Sequence, residues 1–230
     1  MPAPGMHSGV ATDEALNLSM SASAVPLFEA VCEFIANEVD PITEEFYALG
    51  EGRSDRWSFA DGQLELLDGV KAKARAAGLW NFFLPDAETG EGLSNLDYAY
   101  IAAELGKSPL APECLNCSAP DTGNMEVLER VGTAEQKDRW LKPLLDGQIR
   151  SAFAMTEPDV ASSDARNVAT SAVLDGDEWL INGEKFYISG AGDPRCEIMI
   201  VMVRTSPDGP PHQHQSQILV PMTTTGVEIV

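Results

Sequence analysis

Basic residues are scarce in this chain. Its 230 residues contain 15 Lys and Arg against 36 Asp and Glu, which gives a formal net charge of −21. Nucleic acids and anionic membrane surfaces bind proteins through an excess of Lys and Arg. The charge balance therefore argues against both as partners. It does not exclude an anionic cofactor, because a few well-placed hydrogen-bond donors can hold phosphates in an acidic protein.

Long apolar runs are also missing, and no stretch approaches the roughly 20 residues that a membrane-spanning helix needs. The first 24 residues contain no Lys or Arg. That composition argues against a secretory signal, which begins with positive charge, and against an Arg-rich transit peptide. We therefore expect a cytoplasmic protein.

Cysteine is rare, with four residues in the whole chain. Cys114 and Cys117 form a C-x-x-C pair, but Cys32 and Cys196 do not form a second one. A structural zinc site needs four ligands, and no thioredoxin-like strand precedes the pair. We therefore expect no metal site, and we interpret the cysteines as buried, reduced thiols.

The hydrophobic pattern changes once along the chain. Up to about residue 150 the apolar residues recur in steps of three and four, which is typical of helices with one buried face. Beyond that point they alternate, which is typical of strands. The fold class is therefore α+β. We expect a flexible tail at 1–23, an all-helical domain at 24–150 and an antiparallel β-barrel or sandwich domain at 151–230.

Local signals set several boundaries within these domains. Ser94 followed by Asp97, and the capping box that begins at Thr133, predict two helix starts. Trp57 and Phe59 are expected to tuck beneath a loop at 53–61. Hairpin turns are predicted at Asp175-Gly176-Asp177 and Asn182-Gly183. Strands are predicted at 152–156, 168–174, 179–181, 184–188, 197–204, 217–221 and 227–230.

The stretch 152–164 is the strongest candidate for a ligand-binding site. It begins as a strand and breaks at Pro158, which lacks an N–H for a strand ladder. Small and hydroxylated residues follow, which would let a ligand approach the backbone and would offer donors to phosphate oxygens. Taken alone, the pattern fits an ordinary strand that runs into a polar loop better than it fits a ligand site.

The wider set of motifs resembles the acyl-CoA dehydrogenase family over nearly all of residues 25–230. The resemblance implies an N-terminal helical domain and a middle β-domain here. The family's C-terminal four-helix domain, which carries its catalytic Glu, has no counterpart. Further similarity, at 120–125 and 191–194, is to the branch that in animals is fused to a kinase-like domain and is associated with 4-hydroxyacyl-CoA catabolism. The family motifs are Ala77-Gly78-Leu79-Trp80, Leu84-Pro85, Glu104-Leu105-Gly106, the segment 132–137 with Trp140-Leu141, Thr156-Glu157-Pro158 and the segment 181–190.

The resemblance implies FAD as the cofactor and an acyl-CoA as the substrate. Phe153 and Ser163 would also contact that substrate. No acid is a convincing catalytic base, since Glu157 precedes a Pro and is expected to support the loop, so no catalytic residue is named. The residues implied for the cofactor are Phe153, Met155, Thr156, Ala161, Ser162, Ser163, Tyr187, Ile188 and Ser189.

The implied reaction is α,β-desaturation of the acyl-CoA thioester. A carboxylate removes the α-proton while a hydride passes from the β-carbon to flavin N5, and an electron-transfer flavoprotein or an equivalent acceptor reoxidises the flavin. Without the base, this chain is expected to be an inactive fragment. The full-length form is expected to be a homodimer or homotetramer. Two alternatives stay open. One is an acyl-CoA oxidase or flavin monooxygenase of the same fold, and the other is a non-catalytic subunit or fragment that binds a full-length partner.

Overall fold

A computed structural model describes residues 18–55, 57–86 and 89–230. Most of the predicted tail at 1–23 therefore lies outside the described residues. Before residue 146, all secondary-structure elements of the described chain are helices, as the 3.6-residue pattern predicts, and loops connect them. They are α1 (Val25–Phe34), α2 (Asp40–Gly50), α3 (Gln63–Ala76), α4 (Asn95–Leu105), α5 (Ala111–Cys114), α6 (Asp121–Val131), α7 (Ala134–Gln136) and α8 (Lys142–Leu145), with π-helical segments at Ile35–Val39 and Lys137–Leu141.

Both predicted helix starts are confirmed. The Ser94 hydroxyl accepts a hydrogen bond of 3.1 Å from the backbone N–H of Asp97, at the start of α4. At α7, the Gln136 N–H donates to the Thr133 hydroxyl at 3.2 Å, and the Thr133 N–H donates to the Gln136 side chain at 2.9 Å. These bonds satisfy backbone donors that the first helical turn leaves without a partner.

The second half of the chain forms one mixed sheet in the order β1-β4-β2-β3, with β5 on β4. The α+β fold class is confirmed, but the sheet is not purely antiparallel, because β1 runs parallel to β4. The β2–β3 hairpin lies between β1 and β4 in the sequence. This connection lets β4 run beside β1 in the same direction, which a tight turn could not do. The strands are β1 (Arg150–Ala154), β2 (Ser171–Asp175), β3 (Glu178–Asn182), β4 (Cys196–Arg204) and β5 (Gln215–Pro221).

Two predicted strands and one predicted turn are wrong. Residues 184–188 and 227–230 form no strand. The hairpin turn lies at Gly176–Asp177, as predicted, where Asp175 pairs with Glu178. Asn182-Gly183 does not reverse the chain along β3. Gly183 passes close to Thr170, where a Cβ would lie 2.3 Å from the Thr170 hydroxyl, and the chain then runs to the end of β1, where the Phe186 N–H donates to the Thr156 carbonyl.

A buried group of ion pairs joins the helices to the sheet. Glu113 of α5 accepts from Lys71 at 2.8 Å and from Arg195 at 2.5 Å, and it forms an ion pair with Arg150 at 3.0 Å. Burial opposes the charge on Glu113, but these three cations outweigh it and lower the pKa of the carboxyl to about 2. The start of β1 and the turn before β4 are thereby fixed against α5.

Asp121 of α6 makes the second link to β1. Its carboxylate accepts from the backbone N–H of Ser151 at 2.7 Å and from the Ser151 hydroxyl at 2.6 Å, and it pairs with Arg150 at 2.6 Å. The Asn124 amide donates to the Ser151 hydroxyl at 2.8 Å. Burial raises the pKa of Asp121 despite the neighbouring Arg150. These contacts set the position from which β1 enters the sheet.

Replacing Glu113 with Ala should lower the free energy of unfolding by about 3 kcal/mol, because the buried Lys71 and two partly buried arginines lose their shared anion. The control is Asp138→Ala, which removes an exposed ion pair to Lys142 and should cost at most about 0.5 kcal/mol. Urea unfolding of both variants gives the comparison. Equal effects would show that the buried group adds nothing beyond a surface pair.

Candidate functional site

The segment 186–190 lies alongside β1. The Phe186 N–H donates to the Thr156 carbonyl at 2.8 Å, and the Thr156 hydroxyl donates back to the Phe186 carbonyl. Further along, a Cβ at Gly190 would lie 3.2 Å from the Ser151 carbonyl. The two segments therefore run in opposite directions side by side. Tertiary structure thus brings together two groups of sequence-predicted residues, which are Phe153, Met155 and Thr156 on one side and Tyr187, Ile188 and Ser189 on the other.

The predicted residues on this segment point to two different environments. Ile188 packs against the apolar cluster that contains Ala154 and Val201. Tyr187 is 86% exposed, and Ser189 is exposed as well. The segment therefore buries one side chain in the sheet and offers an aromatic ring and a hydroxyl at the surface.

Tyr187 has an unusual backbone. Its φ is +55°, in the left-handed region that costs a residue with a Cβ roughly 1 kcal/mol. The neighbouring ring of Phe186 has its centroid 4.0 Å from that of Tyr187. The paired hydrogen bonds between Thr156 and Phe186 hold the chain in this conformation, which places two aromatic rings together at the surface.

On β1 and just beyond it, the remaining predicted residues are partly accessible. Phe153, Met155 and Thr156 are half-buried, whereas Ala152 and Ala154 are buried. Alternation along the strand puts Phe153 on the face opposite the two alanines. The Thr156 hydroxyl is already engaged as a donor to Phe186, so its remaining capacity toward a ligand is as an acceptor.

Glu157 supports the loop that follows β1, as the sequence predicts. Its buried carboxylate accepts from the N–H groups of Ala169 and Thr170 at 2.8 and 2.9 Å, from the Thr170 hydroxyl at 2.6 Å and from Lys185 at 2.8 Å. Burial opposes ionisation, but the bonds from Lys185 and Thr170 outweigh it and lower the pKa of Glu157 to about 2. A carboxylate so occupied is not available as a base.

Lys185 links this loop to β1 a second time. Its ammonium also donates to the Met155 carbonyl at 2.9 Å. Burial lowers the pKa of Lys185, against the opposing effect of Glu157. Sequence reasoning missed Lys185 and Thr170. Only charge complementarity could have suggested the pair, because no local pattern relates Glu157 to residues 13 and 28 positions away.

The three predicted loop residues differ in accessibility. The Ser162 side chain is buried, and its oxygen accepts a bond of 2.6 Å from the Glu157 N–H. Ala161 and Ser163 are exposed. Ser162 therefore closes the bend after Pro158, and Ser163 and the Ala161 backbone are the accessible parts of the loop.

Two cavities lie elsewhere, in the helical domain. One, of about 590 Å³, is lined by residues that include Phe46, Arg53 and Phe59. The other, of about 200 Å³, is lined by residues that include Tyr98 and Glu126. None of the nine residues predicted to contact a cofactor lines either cavity.

All four cysteines are free thiols. Cys114 and Cys117 are buried, and burial raises the pKa of each to about 12, so both are protonated at neutral pH. Among residues 18–55, 57–86 and 89–230, no group of three or more His, Cys, Asp or Glu could hold a metal ion. Within the same residues no helix is long and apolar enough to span a membrane.

Replacing Glu157 with Gln should reduce stability in a pH-dependent way. The folded-state pKa of about 2 lies below the roughly 4.3 of an unfolded glutamate. Glu157 therefore stabilises the fold above about pH 4.3, and this contribution is lost as the pH falls through about 2. Urea unfolding of E157Q and wild type should differ equally at pH 7 and pH 5, and should converge on further acidification. The exposed-site control is Glu44→Gln, which should follow wild type throughout. A pH-independent difference for E157Q would contradict the assigned ionisation.

Comparison with known proteins identifies the family to which the two domains belong. Residues 24–148 match the acyl-CoA dehydrogenase N-terminal domain family, and residues 152–230 match the acyl-CoA dehydrogenase middle domain family. The probable acyl-CoA dehydrogenase FadE2 of Mycobacterium tuberculosis is 48% identical over 218 residues, which cover 94% of this chain and 52% of FadE2. This chain thus spans about half the length of that relative.

Two further relatives agree. Human acyl-CoA dehydrogenase family member 11 is 51% identical over 187 residues, which cover 81% of this chain and 23% of the human protein. A solved structure of a Mycobacterium abscessus protein assigned as an acyl-CoA dehydrogenase is 51% identical, with a TM-score of 0.82 over 90% of this chain and 52% of that one. With both domain families matched in order and the fold shared, this chain belongs to the acyl-CoA dehydrogenase family, of which it carries the N-terminal and middle domains.

Proposed function

We propose that this chain is the N-terminal and middle part of an FAD-dependent acyl-CoA dehydrogenase that desaturates an acyl-CoA thioester between its α- and β-carbons. One observation carries the proposal. The segment 186–190, which contains Tyr187 and Ser189, lies beside the end of β1 and Thr156, although the two stretches are far apart in the sequence. Bound FAD would supply the acceptor, at its N5 atom, for the hydride that leaves the β-carbon.

The accessible side chains fit a flat aromatic cofactor. Tyr187 exposes its ring, and aromatic faces stack on one another in offset geometry. Ser189 and Thr156 lie on the two paired segments and would offer a hydroxyl hydrogen and a hydroxyl oxygen respectively. Met155 offers backbone groups just past the strand, and Ile188 anchors the segment in the sheet. These residues would orient the ring, and the redox chemistry would belong to the cofactor.

The loop after Pro158 fits the phosphate end. Ser163 is exposed and can donate its hydroxyl hydrogen, and Ala161 leaves the backbone accessible. Ser162 is buried and would act indirectly, by accepting from the Glu157 N–H and so holding the loop in shape. Phe153 and Ser163 would in addition contact the acyl-CoA, beside the ring and the loop respectively.

A base for the α-proton is not among the acids of the described site. Glu157 is saturated by four hydrogen bonds, Asp121 is paired with Arg150, and Glu126 faces Arg130 at 3.8 Å. We therefore propose that the catalytic carboxylate lies outside these 230 residues. The proposed electron acceptor is an electron-transfer flavoprotein or its equivalent, and the proposed complete assembly is a homodimer or homotetramer.

The cofactor proposal is tested by titrating the chain with FAD and following the flavin fluorescence. We expect saturable binding, and we expect Thr156→Ala to weaken it about ten-fold, which is the effect of losing one buried hydrogen-bonding group worth roughly 1–2 kcal/mol. Thr43→Ala is the matched control, since Thr43 is another half-buried threonine whose hydroxyl donates to a backbone carbonyl. Equal affinity for both variants would remove Thr156 from the site.

The catalytic part of the proposal predicts that the 230-residue chain has no dehydrogenase turnover by itself, because it lacks a free carboxylate at the site. The measurement is acyl-CoA-dependent reduction of a dye acceptor in the presence of excess FAD. The positive control is FadE2 of Mycobacterium tuberculosis in the same assay. Turnover by the isolated chain would mean that one of its own acids acts as the base.

A further inference from the structure

Gly192 lies directly under an indole ring. A Cβ at this position would be 2.1 Å from Cε3 and 2.3 Å from Cδ2 of Trp57, which is closer than any real contact. The φ of Gly192 is not positive, so its backbone would accept another residue. The absence of a side chain at Gly192 is therefore required by Trp57 and not by the conformation of the turn.

The same loop makes a second contact on this turn. Phe59 lies 4.6 Å from the guanidinium of Arg195, in cation–π geometry. Arg195 is tied in turn to the Asp193 carboxylate at 2.7 and 3.0 Å. The sequence predicts that Trp57 and Phe59 tuck beneath their own loop, but Trp57 is 42% exposed and reaches across to the sheet domain instead.

The turn under Trp57 continues directly into the proposed flavin surface. The Ala191 N–H donates to the Ile188 carbonyl at 3.3 Å, and the Asp193 N–H donates to the Gly190 carbonyl at 3.0 Å. Only two residues separate Gly192 from Ser189, and these bonds hold the short stretch in two overlapping turns. A shift of Gly192 would therefore be passed to Ser189 and Tyr187.

We propose that Trp57 is a positioning residue of the flavin site. It acts through Gly192, whose backbone it holds in place, and so sets where Ser189 and Tyr187 stand beside β1. This inference rests on the proposed function, since positioning has meaning only if that surface binds FAD.

The contact itself is tested without any cofactor by a double-mutant cycle. Gly192→Ala should lower the urea midpoint clearly in the wild-type background, because the new methyl group meets the indole ring. In the Trp57→Ala background the same change should leave the midpoint unaltered, since the ring is gone. If G192A has the same effect in both backgrounds, the two residues are not coupled and the proposal is overturned.

The effect on the site is tested by amide exchange and by FAD titration in parallel. Trp57→Ala should speed exchange of the Phe186 amide, which donates to Thr156, about ten-fold and should raise the Kd for FAD about ten-fold. Trp57→Phe keeps a flat ring over Gly192 and should stay within two-fold of wild type. Trp179→Ala is the matched control, because Trp179 is 46% exposed on β3 and should change neither measurement.

The outcomes separate the two proposals. If wild type binds FAD and W57A binds it equally well, the positioning role is overturned and the proposed function stands. If W57A weakens FAD binding and W57F restores it, both are supported. If wild type does not bind FAD at all, the proposed function fails, and the positioning role fails with it, whatever the double-mutant cycle shows about the contact.

Discussion

The carboxylate of Glu113 is the point on which the two domains are joined. It neutralises cations from α3, from the start of β1 and from the turn before β4. Burying these charges is costly, and the arrangement is stable only because each charge finds opposite charge and hydrogen bonds at short distance. The side chain of Lys71 is almost completely buried, and its ammonium lies 2.8 Å from this carboxylate. An ion group of this kind fixes position more strictly than apolar packing, since a small slip would leave a buried charge without its partner.

These buried ion pairs explain how accessible residues beside β1 can have fixed positions. β1 is held at its start by Glu113 and Asp121, and it is held at its end by the loop around Glu157. Between these fixed points the strand has little freedom, and the irregular segment 186–190 lies against it. Residues that meet a ligand can therefore lie on loops while their positions are set by buried polar contacts behind them. Arg195 links the buried contacts to the accessible loops. It pairs with Glu113, it contacts Phe59, and it lies in the same turn as Gly192, which packs against Trp57.

The carboxylates illustrate how environment decides role. The chain has 36 acidic residues, and two that lie beside β1, Glu157 and Asp121, are committed to structure. Glu157 has its pKa lowered to about 2 because hydrogen bonds to its charged form outweigh burial. Asp121 has its pKa raised because burial outweighs Arg150. Both are occupied by neighbouring donors, and neither is aimed at an accessible surface. Abundance of acid in the sequence is therefore no guide to a general base, since a base must have a free lone pair directed at its substrate.

The sequence by itself determined what depends on neighbours along the chain: the helical first half, the starts of α4 and α7, the Gly176 hairpin and the family. Caps, turns and periodicity act over a few residues, so the local sequence contains all of their partners. Only the tertiary structure decided the parallel pairing of β1 with β4, the course of the chain after Gly183, the ion pairs around Glu113 and the contact of Trp57 with Gly192. Glu113 and Arg195 are 82 residues apart. No local pattern specifies such a pair, because its free energy arises only when folding has brought both groups out of water together.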